Sequence, residues 1–344
     1  MNRLCYISRC YHGLKSSGSK ARTDNEDIIE AMGGINLGLP RSFHKSKLLT
    51  FLLNLCGIVK YVVSVRKGDV IVLQYPIKKY FAFICKVAAI RGAHTVTVIH
   101  DLGSFRRKKL TLKKEIARLS CSDYVIASNK VMEHWLIEHG LKKPTGALEL
   151  FDYQSPLTNE AHTPYVQGKA RLVYAGALAM RKTSFLLAVP EVIKRSRLHV
   201  FGNRSGLPGM PDSEAVVFHN FLPADEFIHN VDADFGLVWD GDSLDSCTGN
   251  FGEYLRYNTP HKVSFYIRAG LPVAIWKDAA LAEIVERENI GVRIDTLHNI
   301  DEQLAAITEE QYAAMHDNVR RVCRLMMEGH FMREAVKKAC NTLS

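Results

Sequence analysis

GDVIVLQYP (68–76), HTVTVIHD (94–101) and DYVIASN (123–129) each read as a short apolar strand running out into polar residues. Helical patterns fill the gaps, over Ile77–Gly92 and Leu112–Ser120. Near-continuous apolar strands alternating with helices predict a parallel sheet, covered on both faces and joined by right-handed crossovers. Working outward, Leu4–Ile7 is a further strand. Asp24–Met32, Lys45–Ser64 and Lys130–Gly140 are further helices, the first with acidic residues in its opening turn. The pattern breaks over 151–168, a polar stretch with Pro156 and Pro164, and then restarts. Strands are expected at Arg171–Tyr174, 198–203, 216–223, 235–242, 271–276 and 291–294. Helices are expected over Thr183–Ile193, Lys262–Ala269, Ala279–Glu288 and the tail from Glu309. The fold class is therefore α/β, two doubly wound units in tandem.

Length and charge agree with two domains. The chain has 344 residues, enough for about two domains at roughly 150 each. With 47% hydrophobic and 24% charged residues it can bury two ordinary cores, which excludes wholesale disorder. The net charge of +9 is uneven: residues 1–150 carry 25 Lys and Arg against 11 Asp and Glu, the remainder 20 against 25. A basic half joined to a mildly acidic half suggests different partners for the two. The start lacks the apolar core of a signal peptide, and the apolar run near Leu48–Val59, interrupted by Thr50, Asn54 and Gly57, reads as too short for a transmembrane helix. Eight scattered cysteines without a CxxC pair read as buried hydrophobes in a reducing cytosol.

In open parallel sheets, ligands sit beyond the carboxyl ends of the strands. In AGALAMRK (175–182), Gly176 lets backbone approach a phosphate at a helix start, with Arg181 or Lys182 adding charge. The segment matches neither GxGxxG nor GxxxxGK[ST], so a plain strand–helix turn is the competing reading. Asn258–Lys262 reads as a helix start with Thr259 as cap and Pro260 in the first turn. Lys262 is unusual there, because a cation opposes the helix dipole unless an anion, such as a diphosphate, lies between. His100-Asp101 closes a very apolar strand and suits general-base chemistry, or else a carboxylate capping the next segment over a packed histidine. The acidic segment WDGDSLD (239–245) lacks the register of a calcium loop; Asp240 there suits a sugar-hydroxyl contact or turn chemistry, and no metal is expected.

Taken together these residues resemble GT-B glycosyltransferases, in particular the bacterial β-1,6-galactofuranosyltransferases of O-antigen assembly. The densest match runs over 235–292, supported by KARTDNEDI (20–28), VIHD (98–101), LFDY (150–153) and VYAGALAMRKTSF (173–185). A more distant likeness is to streptococcal glucosyltransferases that extend sugars on serine-rich adhesins. The resemblance implies two Rossmann-like domains facing across a cleft: an acceptor-side domain over 1–160, a nucleotide-sugar-binding domain over 161–325, and a C-terminal helix (326–344) returning to the first. It places phosphate contacts on Lys182 and Lys262, a uracil-side contact near Phe221, Asn258 and Thr259 beside the diphosphate, and Ser17 and Gly18 in a loop closing over the donor. Where many retaining relatives carry two glutamates, this chain has Arg256 and Ser264, which favours inversion; Ala177 replaces a frequent asparagine.

The expected reaction is an in-line displacement at the anomeric carbon, with UDP-galactofuranose as donor and no cofactor. Asp101 is the base, His100 positions the acceptor or the carboxylate, and Asp24 is the second candidate base. The expected partners are a nucleotide sugar, a lipid-linked oligosaccharide acceptor and an anionic membrane face. Residues 41–47 and Arg106-Arg107-Lys108-Lys109 would meet that face; the competing reading is a solvated helix surface. The localisation expected is cytoplasmic, peripheral on the inner face of the plasma membrane, with a homo-oligomer left open and no nucleic acid. Alternatives are a hexosyltransferase using another UDP- or GDP-sugar, a silent sugar-binding partner, and a basic membrane- or nucleic-acid-binding protein without catalysis. Against the last, no helix-turn-helix or RRM signature is present and aromatics do not interleave with the basic runs.

Overall fold

In the computed structural model, the described residues are 3–12, 17–77, 80–106, 110–160 and 163–343, with Ser17, Gly18 and Arg106 described for their backbone alone. The strands are β1 (Leu4–Tyr6), β2 (Cys10–His12), β3 (Ile35–Asn36), β4 (Ser42–His44), β5 (Val70–Tyr75), β6 (His94–Ile99), β7 (Tyr124–Ala127) and β8 (Thr145–Ala147), then β9 (Arg171–Ala175), β10 (Arg197–Phe201), β11 (Val216–His219), β12 (Phe235–Val238), β13 (Val273–Trp276) and β14 (Gly291–Ile294). They form two six-stranded sheets, β3-β1-β5-β6-β7-β8 and β11-β10-β9-β12-β13-β14. Every pairing described is parallel, as in the register Val70↔His94 and Phe235↔Leu172. A parallel sheet needs helices on both faces, which is why its strands are apolar on both sides.

The chain divides into two compact units. Unit 1 is Met1–Tyr153 with Gly329–Ser344, and unit 2 is Gln154–Glu328. In unit 1, α1 (Ser17–Ala31), α2 (Lys47–Ser64) and α3 (Phe81–Ile90) follow in chain order. The last helix, His330–Leu343, packs on the same sheet through buried Met332, Val336 and Ala339. Gly329, at φ 72°, breaks the expected single tail helix in two. The Asp152 carboxylate caps the second piece, accepting from the N–H groups of Phe331 (3.2 Å) and Met332 (2.7 Å).

Several elements differ from the sequence reading. α1 begins at Ser17 rather than Asp24, so Ser17 and Gly18 form its first turn instead of a loop. The expected helix over Thr183–Ile193 is split into Met180–Thr183, a 3-10 turn Ser184–Leu187 and Val189–Val192. Pro190, which has no N–H to give, sits in the first turn of the last piece. β2 and β4 form a separate two-stranded parallel sheet that the sequence did not signal. The Leu48–Val59 run belongs to an 18-residue helix, α2, long and apolar enough by length and composition to cross a membrane, not too short for it. Of the basic run at 106–109, residues 107–109 lie outside the described residues.

Unit 2's sheet puts its first strand, β9, between β10 and β12, so the order of chain growth reverses there. Helices leaving β9 and β12 must go to opposite faces at that point, which opens a crevice at their carboxyl ends.

Candidate functional site

That crevice gathers four side chains. β9 ends at Ala175 and leads through Gly176 (φ 146°) to Lys182 in the next helical turn. β12 is followed by buried Trp239, whose indole N–H donates to the Ser243 carbonyl (3.0 Å) and shapes the turn carrying Asp240. Gly241 (φ 126°) then lies so close to Thr248 that an added Cβ would be 2.6 Å from its backbone nitrogen. The Gly241 N–H donates to the Lys182 carbonyl (2.6 Å), and its own carbonyl accepts from the Phe185 N–H (3.2 Å). These two bonds stitch the segments following β9 and β12 together and bring Asp240 beside Lys182.

The third segment is the helix His261–Arg268. It lies against β12 because Gly236 has no side chain: a Cβ there would be 2.2 Å from the Tyr266 ring. Tyr266 accepts the Ala175 N–H on its hydroxyl (2.8 Å), tying the helix to the end of β9. One turn earlier, Lys262 places its ammonium 3.1 Å from Asp240 Oδ1 and 3.8 Å from the centroid of the Tyr174 ring. The Tyr174 hydroxyl donates to the same carboxylate oxygen at 2.9 Å, and Lys182 Nζ lies 3.6 Å from Oδ2. Lys262 and Asp240 side chains are each only 10% exposed.

One anion facing Lys262 is thus the Asp240 carboxylate. Two ammonium groups share one carboxylate, leaving a surplus positive charge in a half-enclosed site. Burial pushes the Lys262 pKa down to about 8; Asp240 opposes this shift and Lys182 adds to it. A multiply charged anion entering here would meet two cations and a helix N-terminus.

Other expected residues of unit 2 sit around this cluster. Gly176 is exposed at the mouth. Arg181 turns its guanidinium to the Phe251 ring (5.4 Å), not towards Asp240. Thr259 is buried, and Asn258 has a buried Oδ1 with no hydrogen bond among the described residues. Phe221 is 68% exposed beyond β11, at the same end of the sheet. Arg256 stacks on Trp276 at 4.4 Å and pairs with Asp278 at 3.1 Å, while Ser264 is fully buried.

In unit 1, His100 and Asp101 follow β6 at its carboxyl end. His100 Nε2 bonds Gln74 Oε1 (2.9 Å) and the ring stacks on Phe151 at 5.1 Å. Asp101 is half-buried, and its charge supports the cation of Arg22, which burial lowers. Asp24 is buried and pairs with Lys20 one turn earlier on α1. Glu26 accepts from Ser8 (2.7 Å) and Tyr11 (3.3 Å), and burial pushes its carboxyl up to about 7. Asn25 has both amide atoms buried without a partner among the described residues. Sequence reasoning missed Tyr174, Tyr266, Asn25 and Glu26. All four lie in stretches that carry the resemblance (20–28, 173–185 and 235–292), but only Tyr174, two residues before Gly176, stood beside a residue given a role. Among the described residues no three His, Cys, Asp or Glu side chains gather as a metal site.

Comparison with known proteins places this geometry in context. Residues 4–150 match the N-terminal domain of glucosyltransferase 3-like proteins and residues 172–339 match their C-terminal domain. The chain is 28% identical to the β-1,6-galactofuranosyltransferase WbbI of Escherichia coli (strain K12) over 99% of both chains. It is 25% identical to glucosyltransferase 3 of Streptococcus gordonii over 80% of each. Among solved structures, the apo form of the lipopolysaccharide outer core galactosyltransferase WaaB superposes with a TM-score of 0.56 at 12% identity, covering 96% of this chain and 97% of that one. The shared fold is GT-B, with two parallel α/β domains.

Proposed function

The chain belongs to the glucosyltransferase 3-like family of glycosyltransferases, and we propose that it moves a galactofuranosyl residue from UDP-galactofuranose to the 6-hydroxyl of a glucoside on a lipid-linked polysaccharide intermediate. The single observation that carries the donor half is the pair of lysines at the reversal point of the unit 2 sheet, sharing one carboxylate. The full-length match to a β-1,6-galactofuranosyltransferase supports the choice of sugar and linkage.

In this reading the acceptor oxygen attacks the anomeric carbon from the face opposite the leaving group. The bond to the diphosphate breaks, the proton passes to the Asp101 carboxylate, and UDP leaves with the bonding electrons. Lys182 and Lys262 stabilise the charge that grows on the diphosphate, which is the work a metal does elsewhere. Asn258 and Thr259 lie beside that group and would meet it with N–H donors, Gly176 gives close backbone approach, and Phe221 contacts the uracil side. His100, held by Gln74 and Phe151, orients the acceptor; Asp24 is the second candidate base. Ser17 and Gly18, in the first turn of α1, are donor contacts in the same reading. We place the reaction in the cytoplasm, in keeping with eight cysteines scattered without a CxxC pair.

The match to a glucosyltransferase favours one competing reading, transfer of glucose from UDP-glucose. Turnover of UDP-galactofuranose and UDP-glucose on a synthetic lipid-linked glucoside, with the product's anomeric configuration by NMR, separates the two. The proposal expects turnover of the furanose donor with inversion; turnover of UDP-glucose alone, or retention, overturns it.

A further inference from the structure

α2 is apolar around most of its circumference and leaves a broad apolar face outward. Thr50, Asn54, Gly57, Ile58 and Tyr61 face the protein. Asn54 bonds both backbone groups of Cys10 on β2 (3.2 and 2.8 Å), and the Tyr61 hydroxyl donates to the Ile84 carbonyl on α3 (2.9 Å). Its apolar positions Leu48, Leu52, Leu55, Val59 and Val63, spaced by three or four residues, face outward with exposures from 38% to 74%. On the adjoining α3, Phe83 (49%) and Ile90 (74%) are exposed too. A surface helix ordinarily turns its apolar stripe to the core, so a continuous apolar face turned outward marks a surface that something apolar covers.

The charges around it identify the cover. Lys45 precedes the helix and Lys47 opens it, Arg66 and Lys67 follow it, and Lys86 and Arg91 lie on and after α3, all exposed. Between Ala31 and His100 the sequence holds ten Lys and Arg against a single acidic residue, Asp69, whose carboxylate is taken by Arg3 at 2.8 Å. Two copies of such a face would repel each other. A surface with an apolar interior and anionic headgroups matches both features. Arg41, expected to join this contact, is instead engaged by Asp27 (2.8 Å) and Glu26 (3.7 Å).

We propose that the outward face of α2, with the exposed residues of α3, docks into the interfacial layer of an anionic lipid bilayer. The helix lies in the plane of that layer, because its inner side is bonded into β2 and α3. The inference stands apart from the donor and acceptor assignments, since it is read without turnover.

Sedimentation of the full chain with phosphatidylcholine vesicles, and with vesicles containing one-third phosphatidylglycerol, tests it. Binding to the anionic vesicles should exceed that to the neutral ones by about tenfold or more at low salt, and fall as salt rises. The variant Leu52→Gln/Val59→Gln/Val63→Gln should lose about tenfold of that binding while keeping the wild-type circular-dichroism spectrum and a cooperative melt, which report the fold. Lys45→Gln/Lys47→Gln/Lys67→Gln should lose the preference for phosphatidylglycerol. Undiminished vesicle binding by the glutamine-for-apolar variant overturns the proposal, as does absence of binding to the anionic vesicles. A wild-type dimer that becomes monomeric in that variant by light scattering would give the face to a second copy instead, and overturns it too.

Discussion

At the scale of single residues, the Lys262 ammonium is held by Asp240 and the Tyr174 ring while burial keeps its pKa at about 8. Its protonated form is the one that attracts a diphosphate, so UDP affinity should be steady below about pH 8 and fall as pH rises through it. In Lys262→Arg the guanidinium stays charged, and calorimetry should show that fall removed. Lys262→Ala should weaken UDP binding at pH 7 by about tenfold or more, the scale of a charge-assisted hydrogen bond. Asp101→Asn should lower turnover by about 10²–10⁴-fold with nucleotide affinity near normal, and near-wild-type turnover would remove Asp101 from the base role. The cluster was half legible in the sequence. A lysine at a helix start opposes the dipole and so announces a nearby anion, but that the Asp240 carboxylate stands beside it depends on a turn 22 residues away. The roles of Tyr174 and Tyr266 were not legible because each acts through a tertiary neighbour.

At the scale of elements, the position of the Lys262 helix rests on the bare surface of Gly236, where a Cβ would collide with the Tyr266 ring at 2.2 Å. Gly236→Ala should push that helix outward, loosen the Tyr266–Ala175 bond, cost about 1–3 kcal/mol of stability and weaken UDP binding. Unchanged melting and affinity would show that the contact is soft. The final helix is held by Asp152, whose carboxyl burial raises from 3.8 to about 7. Between about pH 4 and 7 the folded state keeps a proton that the unfolded state has released, so this group's stabilisation is complete at low pH and is lost as pH rises through 7. Asp152→Asn should shrink the drop in Tm between pH 5 and pH 8 by about 4–10 °C, the change that ~2–3 kcal/mol makes in a domain of this size. Among the strands, β1, β5–β7 and β9–β14 were legible as short, mostly apolar runs between polar ends, whereas β3 and β8, of two and three residues, were not. α2 was legible as a helix but not in its orientation: with apolar residues around most of its circumference, periodicity could not say which side faces in. The short sheet of β2 and β4, three residues each, was invisible for want of length.

At the scale of the whole molecule, the alternation of strands and helices, its interruption at 151–168 and its restart were enough to read a two-unit α/β chain. The strand orders add what the sequence could not supply. In unit 2 the reversal falls between β9 and β12, and it is that order, not a glycine fingerprint, that gathers Lys182, Lys262 and Asp240 at one point. The two units also divide the charge, the basic one carrying the outward apolar helix and the other the lysine pair. The most direct test is a crystal structure of the protein with UDP bound. The diphosphate should lie at the carboxyl ends of β9 and β12, within hydrogen-bond reach of both Lys182 and Lys262; density at any other place, or a protein that takes up no UDP, would contradict the account.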